Sequence, residues 1–248
     1  MNRQRIIIVG ATSAIAEQCA RLWAENPVAM LLVGRDKDRL ERMAQDLSVR
    51  SPNAEIDCAT ADFLDPQSIS EVVRVFAAGG GIDIALVAHG MLPDQAACQL
   101  DLVACGEAMK INAISPALFS EALAGAMAQS GGGRLVVLGS VAGDRGRRSN
   151  YVYGASKAML DRYCQGLQHR FAGSTLRICL VKPGPTRTPM TEQMQGSGMK
   201  FAAVEDVAAA IVKGVERGRA VIYAPGKWAL IMLVIRHLPR FVFNRLDI

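Results

Sequence analysis

Apolar residues come along this chain in short unbroken blocks separated by longer amphipathic stretches, and the two patterns alternate from one end to the other. Ile6, Ile7, Ile8 and Val9 run together and end on Gly10. A β-branched run that is apolar at consecutive positions, not alternate ones, predicts a parallel strand buried on both faces. Comparable blocks predict strands over 28–33, 55–61, 82–88, 134–139, 176–182 and 220–223. Between them the spacing turns helical. Ile15, Cys19, Leu22 and Trp23 share one face of a first helix, and further helices are expected over 36–47, 66–77, 100–129, 151–171 and 204–217. Strand and helix alternate with no linker and no repeat. The expected architecture is α/β, a single-domain, doubly wound parallel sheet with helices on both faces. That domain occupies residues 1–226, and 227–248 form an apolar and basic C-terminal segment.

Two places carry chemistry. The first strand runs into Ala11-Thr12-Ser13-Ala14-Ile15-Ala16 and then a helix. Such a strand–turn–helix sets the N–H groups of Thr12, Ser13, Ala14 and Ile15, with the positive helix end, against a phosphate, and Gly10 makes the tight turn; this is the basis of dinucleotide binding. The second place is Tyr153-Gly-Ala-Ser-Lys157, with Ser140 thirteen residues upstream at the end of the apolar run 135–138. Helix positions four apart share a face, so the Tyr153 phenol and Lys157 ammonium converge. A neighbouring cation favours the phenolate and is expected to lower the phenol pKa from about 10, suiting Tyr153 to acid/base work. Ser140 can donate to a carbonyl oxygen that gains charge. The pair alone also fits an ordinary surface helix. Tyr151 lies roughly 240° around the helix from Lys157 and is expected to face elsewhere.

Together these segments resemble the short-chain dehydrogenase/reductase family, over nearly the whole chain. The resemblance implies a Rossmann-type fold and an NAD(P)-dependent oxidoreductase acting on a CH–OH group. The family's glycine motif is Gly-x-x-x-Gly-x-Gly; here Gly10 remains and Ala14 and Ala16 replace the other two, which leaves less room at the pyrophosphate. By the same resemblance Ser140, Tyr153, Lys157 and Asn112 make up the catalytic tetrad, with Asn112 holding a water behind Lys157. Lys157 also serves the cofactor ribose. Asp62, followed by Phe63, matches the acid that contacts the adenine. Ala88 and Gly90 belong to the turn after the fourth strand, and Pro183-Gly184 with Thr186 and Thr188 matches the turn that holds the carboxamide. Asp62 equally suits a helix cap, and Pro-Gly marks turns in general. The chain departs from the family at Ala88-His89-Gly90, where Asn-Ala-Gly is usual. That change removes a strand-stabilising hydrogen bond and brings His89 near the cofactor or substrate, although a lone histidine more often packs. Arg35, at the end of the second strand, resembles the residue that meets a 2′-phosphate. NADP(H) is therefore favoured. NAD(H) stays open because Asp36, which also suits an N-cap, is adjacent.

Composition narrows the field only a little. The chain has 248 residues, is 50% apolar and 21% charged, and can bury a full core. A net charge of +5 without a long basic run is too mild to indicate a nucleic-acid binder, and none is expected. Six cysteines without a Cys-x-x-Cys, and three scattered histidines, suggest neither a metal site nor a disulfide framework. Reduced thiols in a cytoplasmic protein are expected. No signal peptide is read at the N-terminus, because the first apolar run is too short.

Two segments bear on the substrate. Arg145, Arg147 and Arg148 follow Ser140 in Gly143-Asp144-Arg145-Gly146-Arg147-Arg148-Ser149-Asn150. They could hold a phosphate, or simply make a solvated loop. The second segment begins at Lys227-Trp228, and its unbroken apolar run is eight residues long, far short of the ~20 that span a bilayer. Edged by Lys227, Arg236, Arg240 and Arg245, it suits a lipid interface; a subunit contact or a cover over the substrate is the other reading. With the Tyr-Gly-Ala-Ser-Lys form, these segments resemble the decaprenylphosphoryl-2-keto-ribose reductase branch of the family, which reduces a keto-pentose on a polyprenyl phosphate. That resemblance implies a carbonyl partner linked to a lipid phosphate, peripheral membrane contact through the C-terminus, a place at the inner face of the cell membrane, and a homodimer or homotetramer. The alternatives are a soluble reductase of a small ketone, sugar or acyl thioester and, from another class, a cofactor-binding sensor or scaffold.

Overall fold

The computed structural model describes residues 3–194 and 200–246. Its strands are β1 Gln4–Val9, β2 Val28–Gly34, β3 Glu55–Thr60, β4 Ile84–Val87, β5 Gly133–Leu138, β6 Leu176–Pro183 and β7 Val221–Ala224. They form one parallel sheet in the order β3-β2-β1-β4-β5-β6-β7. The chain winds outward from β1 to one edge and then returns to wind outward from β4. The switch between β1 and β4 opens a crevice at the carboxyl ends of the strands.

The helices are α1 Ala14–Trp23, α2 Lys37–Arg50, α3 Pro66–Ala78, α4 Gln95–Leu100, α5 Leu102–Met109, α6 Ser115–Gln129, α7 Tyr151–Arg170, α8 Val204–Glu216, α9 Lys227–His237 and α10 Arg240–Phe243. Strand geometry sends Ile6 and Ile8 to one face, into a core with α1, α2 and α8. Ile7 and Val9 go to the other face, with α3, α6 and α7. Both faces are covered, which explains why the strands read as unbroken apolar runs. Each fully buried isoleucine contributes about 1.5–3 kcal/mol relative to an exposed one.

The expected helix over 100–129 is not continuous. Asp101 takes an extended conformation and its carboxylate accepts from the N–H groups of Val103 and Ala104, which ends α4 and starts α5. A π-helical turn, Lys110–Ile114, then precedes α6. Pro116 has no N–H to give the carbonyl of Asn112, so the regular ladder cannot continue there. Aspartates open other helices as well: Asp36, Asp65 and Asp94 cap α2, α3 and α4. Asp62 is thus not the cap of α3; it accepts from Leu64 N at 2.9 Å in a local turn.

The C-terminal segment packs onto the domain at both ends of α9. Met232 is fully buried, and a Cβ built on Gly184 would meet the indole of Trp228 at 1.9 Å. At the far end Arg145 donates to the carbonyls of Ile235 (2.7 Å), Arg236 (3.2 Å) and Leu238 (2.6 Å), and its guanidinium lies 3.9 Å from the Phe243 ring centre. These carbonyls end a helix and need donors, so a cation there satisfies both hydrogen bonding and the helix dipole. Among the described residues no helix is long and apolar enough to cross a membrane.

Candidate active site

Every strand that points at the crevice ends in a residue of the site. A cavity of about 550 Å³ runs along the carboxyl ends of β1, β2, β4, β5 and β6. Gly10, Thr12, Ser13, Ala14 and Ile15 line it from the first turn, Arg35 from β2, and Asp62 and Phe63 from the chain after β3. Ala88 and Gly90 follow β4; Ser140 follows β5; Tyr153 and Lys157 stand on α7; Pro183, Gly184, Thr186 and Thr188 close the far side. Tyr151 does not line the cavity and is 44% exposed. Asn112 does not line it either. It is fully buried on the π turn, and its Oδ1 accepts from Met91 N at 2.8 Å. Its Nδ2 is buried without a hydrogen-bond partner.

Gly10 has φ +77°, and a Cβ there would lie 2.6 Å from His89 N, so only glycine fits where β1 meets the turn after β4. Ser13 precedes α1 without capping it through its side chain. The N–H groups of the first turn therefore stay directed at the cleft, as an anion site requires. This cradle, with the donors deeper in the cleft, has the chemistry that a dinucleotide needs.

The reacting end is tightly built. Ser140 Oγ accepts from Ala142 N at 3.1 Å, which leaves the hydroxyl hydrogen to donate elsewhere. Lys157 is buried, donates to Leu138 O at 3.0 Å and lies 5.8 Å from the Tyr153 ring centre. Burial pushes its pKa down to about 8. Burial also raises the Tyr153 phenol, with the hydrogen bond to Ser140 acting in the opposite direction. The expected lowering by Lys157 is not seen: desolvation, which penalises the phenolate, sets the direction, and the opposing pull comes from Ser140. His89 does stand in the cavity wall, with Nε2 2.8 Å from Ser115 Oγ and its ring edge-on to Phe63 and Phe119. Burial, then Lys157 and Arg35, hold its pKa near 3. Near pH 7 the ring is held in its neutral form.

Sequence reasoning missed Arg39. Asp36 caps α2 by accepting from Arg39 N at 3.0 Å, and Arg39 lines the cleft beside Arg35. The signal was present: a second arginine stands in the first turn of the helix that Asp36 caps, just after Arg35. The arginine loop divides unexpectedly. Arg145 is committed to α9, whereas Arg147 lines the cavity half-buried, with Nη2 3.7 Å from Met232 Sδ. Burial lowers the Arg147 pKa, against the pull of Asp144. Trp228 is half-buried against Gly184 and so is not available to a lipid interface.

A family model described as short chain dehydrogenase matches residues 4–197. The chain belongs to the short-chain dehydrogenase family. The dehydrogenase is 35% identical over 245 residues to an uncharacterized oxidoreductase of Streptomyces coelicolor, covering 97% of this chain and 95% of that protein. The same fold occurs in a short-chain dehydrogenase from Sphingobium yanoikuyae solved with NADPH, at TM-score 0.82 and 24% identity over 96% of this chain and 97% of that one. It occurs again in a Burkholderia cenocepacia short-chain dehydrogenase solved with NADP, at TM-score 0.83 and 18% identity over 100% and 98%. As a member of this family the protein is an NAD(P)-dependent dehydrogenase/reductase.

Proposed function

We propose that this dehydrogenase uses NADPH to reduce the carbonyl of a keto-sugar carried on a polyprenyl phosphate. The observation that supports the reaction is the convergence of Ser140, Tyr153 and Lys157 on a cleft whose other end is the uncapped start of α1. A bound nicotinamide supplies the hydride. Ser140, its lone pair engaged by Ala142 N–H, turns its own O–H toward the substrate oxygen and stabilises the charge that develops there. Tyr153 gives that oxygen its proton, and the Lys157 ammonium stabilises the phenolate left behind. Asn112 holds the chain at Met91 and so shapes the cavity wall beside Gly90, where an added Cβ would lie 2.9 Å from Asn112 Oδ1.

The preference for NADPH rests on Arg35 and Arg39, two guanidiniums at the β2 end of the cleft, with Asp36 occupied as a cap. The NADP(H)-bound relatives in fold support it. Arg35→Asp is expected to shift selectivity toward NADH by tenfold or more, since losing a charge-assisted contact costs about 1.5 kcal/mol or more. Comparing kcat/KM for the two cofactors measures this, and equal use of NADH by the unmutated protein would overturn the preference.

The lipid-linked substrate rests on the two segments outside the dinucleotide cradle, with residues 1–226 as the catalytic domain and 227–248 as its membrane-facing appendage. Arg147 is the cation of the loop that lines the cleft, and it is the residue we assign to the substrate phosphate. On α9, Leu230, Ile231, Leu233 and Val234 are exposed and fall within one arc opposite buried Met232; Phe241, on α10, is exposed as well. Burying these five side chains at an interface contributes several kcal/mol at about 25 cal/mol per Å², and Lys227, Arg236, Arg240 and Arg245 give the same segment positive charge. The protein is expected to float with anionic vesicles at low salt, and Leu230→Glu with Val234→Glu should abolish flotation while leaving cofactor binding intact. Unmutated protein that stays at the bottom of the gradient would end this reading. A separate exposed apolar strip, Leu100, Leu102 and Val103, supports a homodimer or homotetramer.

A further inference from the structure

A buried ionic group outside the cleft joins three pieces of chain that the reaction needs together. Lys182, on β6, is 4% exposed, and its ammonium donates to Asp144 Oδ1 at 2.5 Å and to Asp161 Oδ2 at 2.6 Å. Tyr223 of β7 donates to the other oxygen of Asp144 at 2.8 Å, and Gln165 to the other oxygen of Asp161 at 2.6 Å. Asp144 ends the short 3-10 turn Val141–Asp144 that Ser140 begins. Asp161 lies one turn beyond Lys157 on α7, and Lys182 is followed directly by Pro183-Gly184.

Ions this deeply buried lose several kcal/mol of hydration each, and well-packed apolar residues often stabilise a fold as well or better. Stability alone is a weak reason for this arrangement. What the ions add is direction, because two carboxylates from separate elements must meet one ammonium. On the other side the turn is already in contact with α7: a Cβ on Gly143 would lie 2.8 Å from the backbone carbon of Lys157. It cannot move toward the helix and can only lift away. The bond from Asp144 to Lys182 opposes that movement.

We propose that Lys182 is a positioning residue: through Asp144 and Asp161 it holds the Ser140 turn and the Tyr153 helix in register with the 183–184 turn. The proposal rests on the roles given above to Ser140 and Tyr153. The groups facing Lys182 are Asp144 from the turn, Asp161 and Cys164 from α7, and Tyr223 from β7.

The test is Lys182→Met, which keeps length and removes the charge, beside Asp144→Asn, which weakens the turn's links to Lys182 and Tyr223 but leaves Lys182 paired with Asp161, and Lys182→Arg as the conservative variant. The Tyr153 phenol is titrated by absorbance at 295 nm, each variant against its own Tyr153→Phe counterpart, so that Tyr223 cancels. Turnover is measured in parallel with NADPH and a small α-diketone as carbonyl probe. If Lys182 positions Ser140, the phenol titrates higher in Lys182→Met and Asp144→Asn because its serine partner has withdrawn. In both, kcat falls tenfold or more while KM for NADPH changes less than threefold, and Lys182→Arg restores most of kcat. An unmoved phenol titration in folded Asp144→Asn overturns the proposal. So does a loss of turnover that only follows loss of folded protein or of cofactor binding. Should the unmutated protein leave the diketone untouched, the reductase reading is at fault, and the phenol titration still decides the role of Lys182.

Discussion

Tyr153→Phe should lower carbonyl turnover by about 10²-fold or more while leaving cofactor affinity nearly unchanged. The substitution keeps the ring, which packs in the cleft wall, and removes only the hydroxyl that faces Ser140. Without it the substrate oxygen must take its proton from water in a site shaped to hold something else. Tyr151 supplies the control, since it is exposed and outside the cleft, and Tyr151→Phe should be close to neutral. Steady-state rates of the two variants, with cofactor affinity from fluorescence titration, check the assignment. A larger loss in Tyr151→Phe would show that the proton comes from elsewhere.

Raising the pH through about 8 should switch reduction off. Lys157 is a base whose ammonium is disfavoured by burial, so it carries its charge below that value and loses it above. The charge stabilises the phenolate formed when Tyr153 gives up its proton. The rate should therefore be level on the acid side and fall as pH rises past the break. Tyr153 does not set this break, because burial moves its own titration upward, away from the window. Lys157→Ala should abolish the pH step, cost 10²-fold or more in rate on the acid side by the usual scale of acid/base assistance, and weaken cofactor binding through the ribose contact that the family resemblance assigns to it. A pH–rate profile for both proteins, with cofactor dissociation constants, measures each part. A break that persists in Lys157→Ala would move its origin to another group.

How much of this was legible in the residues depends on how far each feature reaches along the chain. The strands and the pair at 153 and 157 are local: runs of consecutive apolar residues and a spacing of four carry them. The division of helix 100–129 was also written locally, in Asp101 and Pro116, but the apolar spacing on either side masked it. Arg39 was within reach as well, in the first turn of the helix that follows Arg35. The partners of Lys182 lie 38 and 21 residues away, and Arg145 finds its acceptors some 90 residues further on among backbone carbonyls that no side-chain pattern announces. The direction of the Tyr153 shift was beyond reading because it is decided by burial, which belongs to the assembled fold.

The contact between Trp228 and Gly184 has a practical consequence. The chain has two tryptophans, and the other, Trp23, is 4% exposed in the core between α1 and α8, on the opposite side of the sheet from the catalytic helix. The indole of Trp228 rests on the back of the turn assigned to the carboxamide, and reduced nicotinamide absorbs where indole emits. The protein thus carries an optical sensor at its own active site. Quenching of its emission reports cofactor arrival, and a later change in that emission reports any tilt of the helix that Trp228 begins, with no label attached.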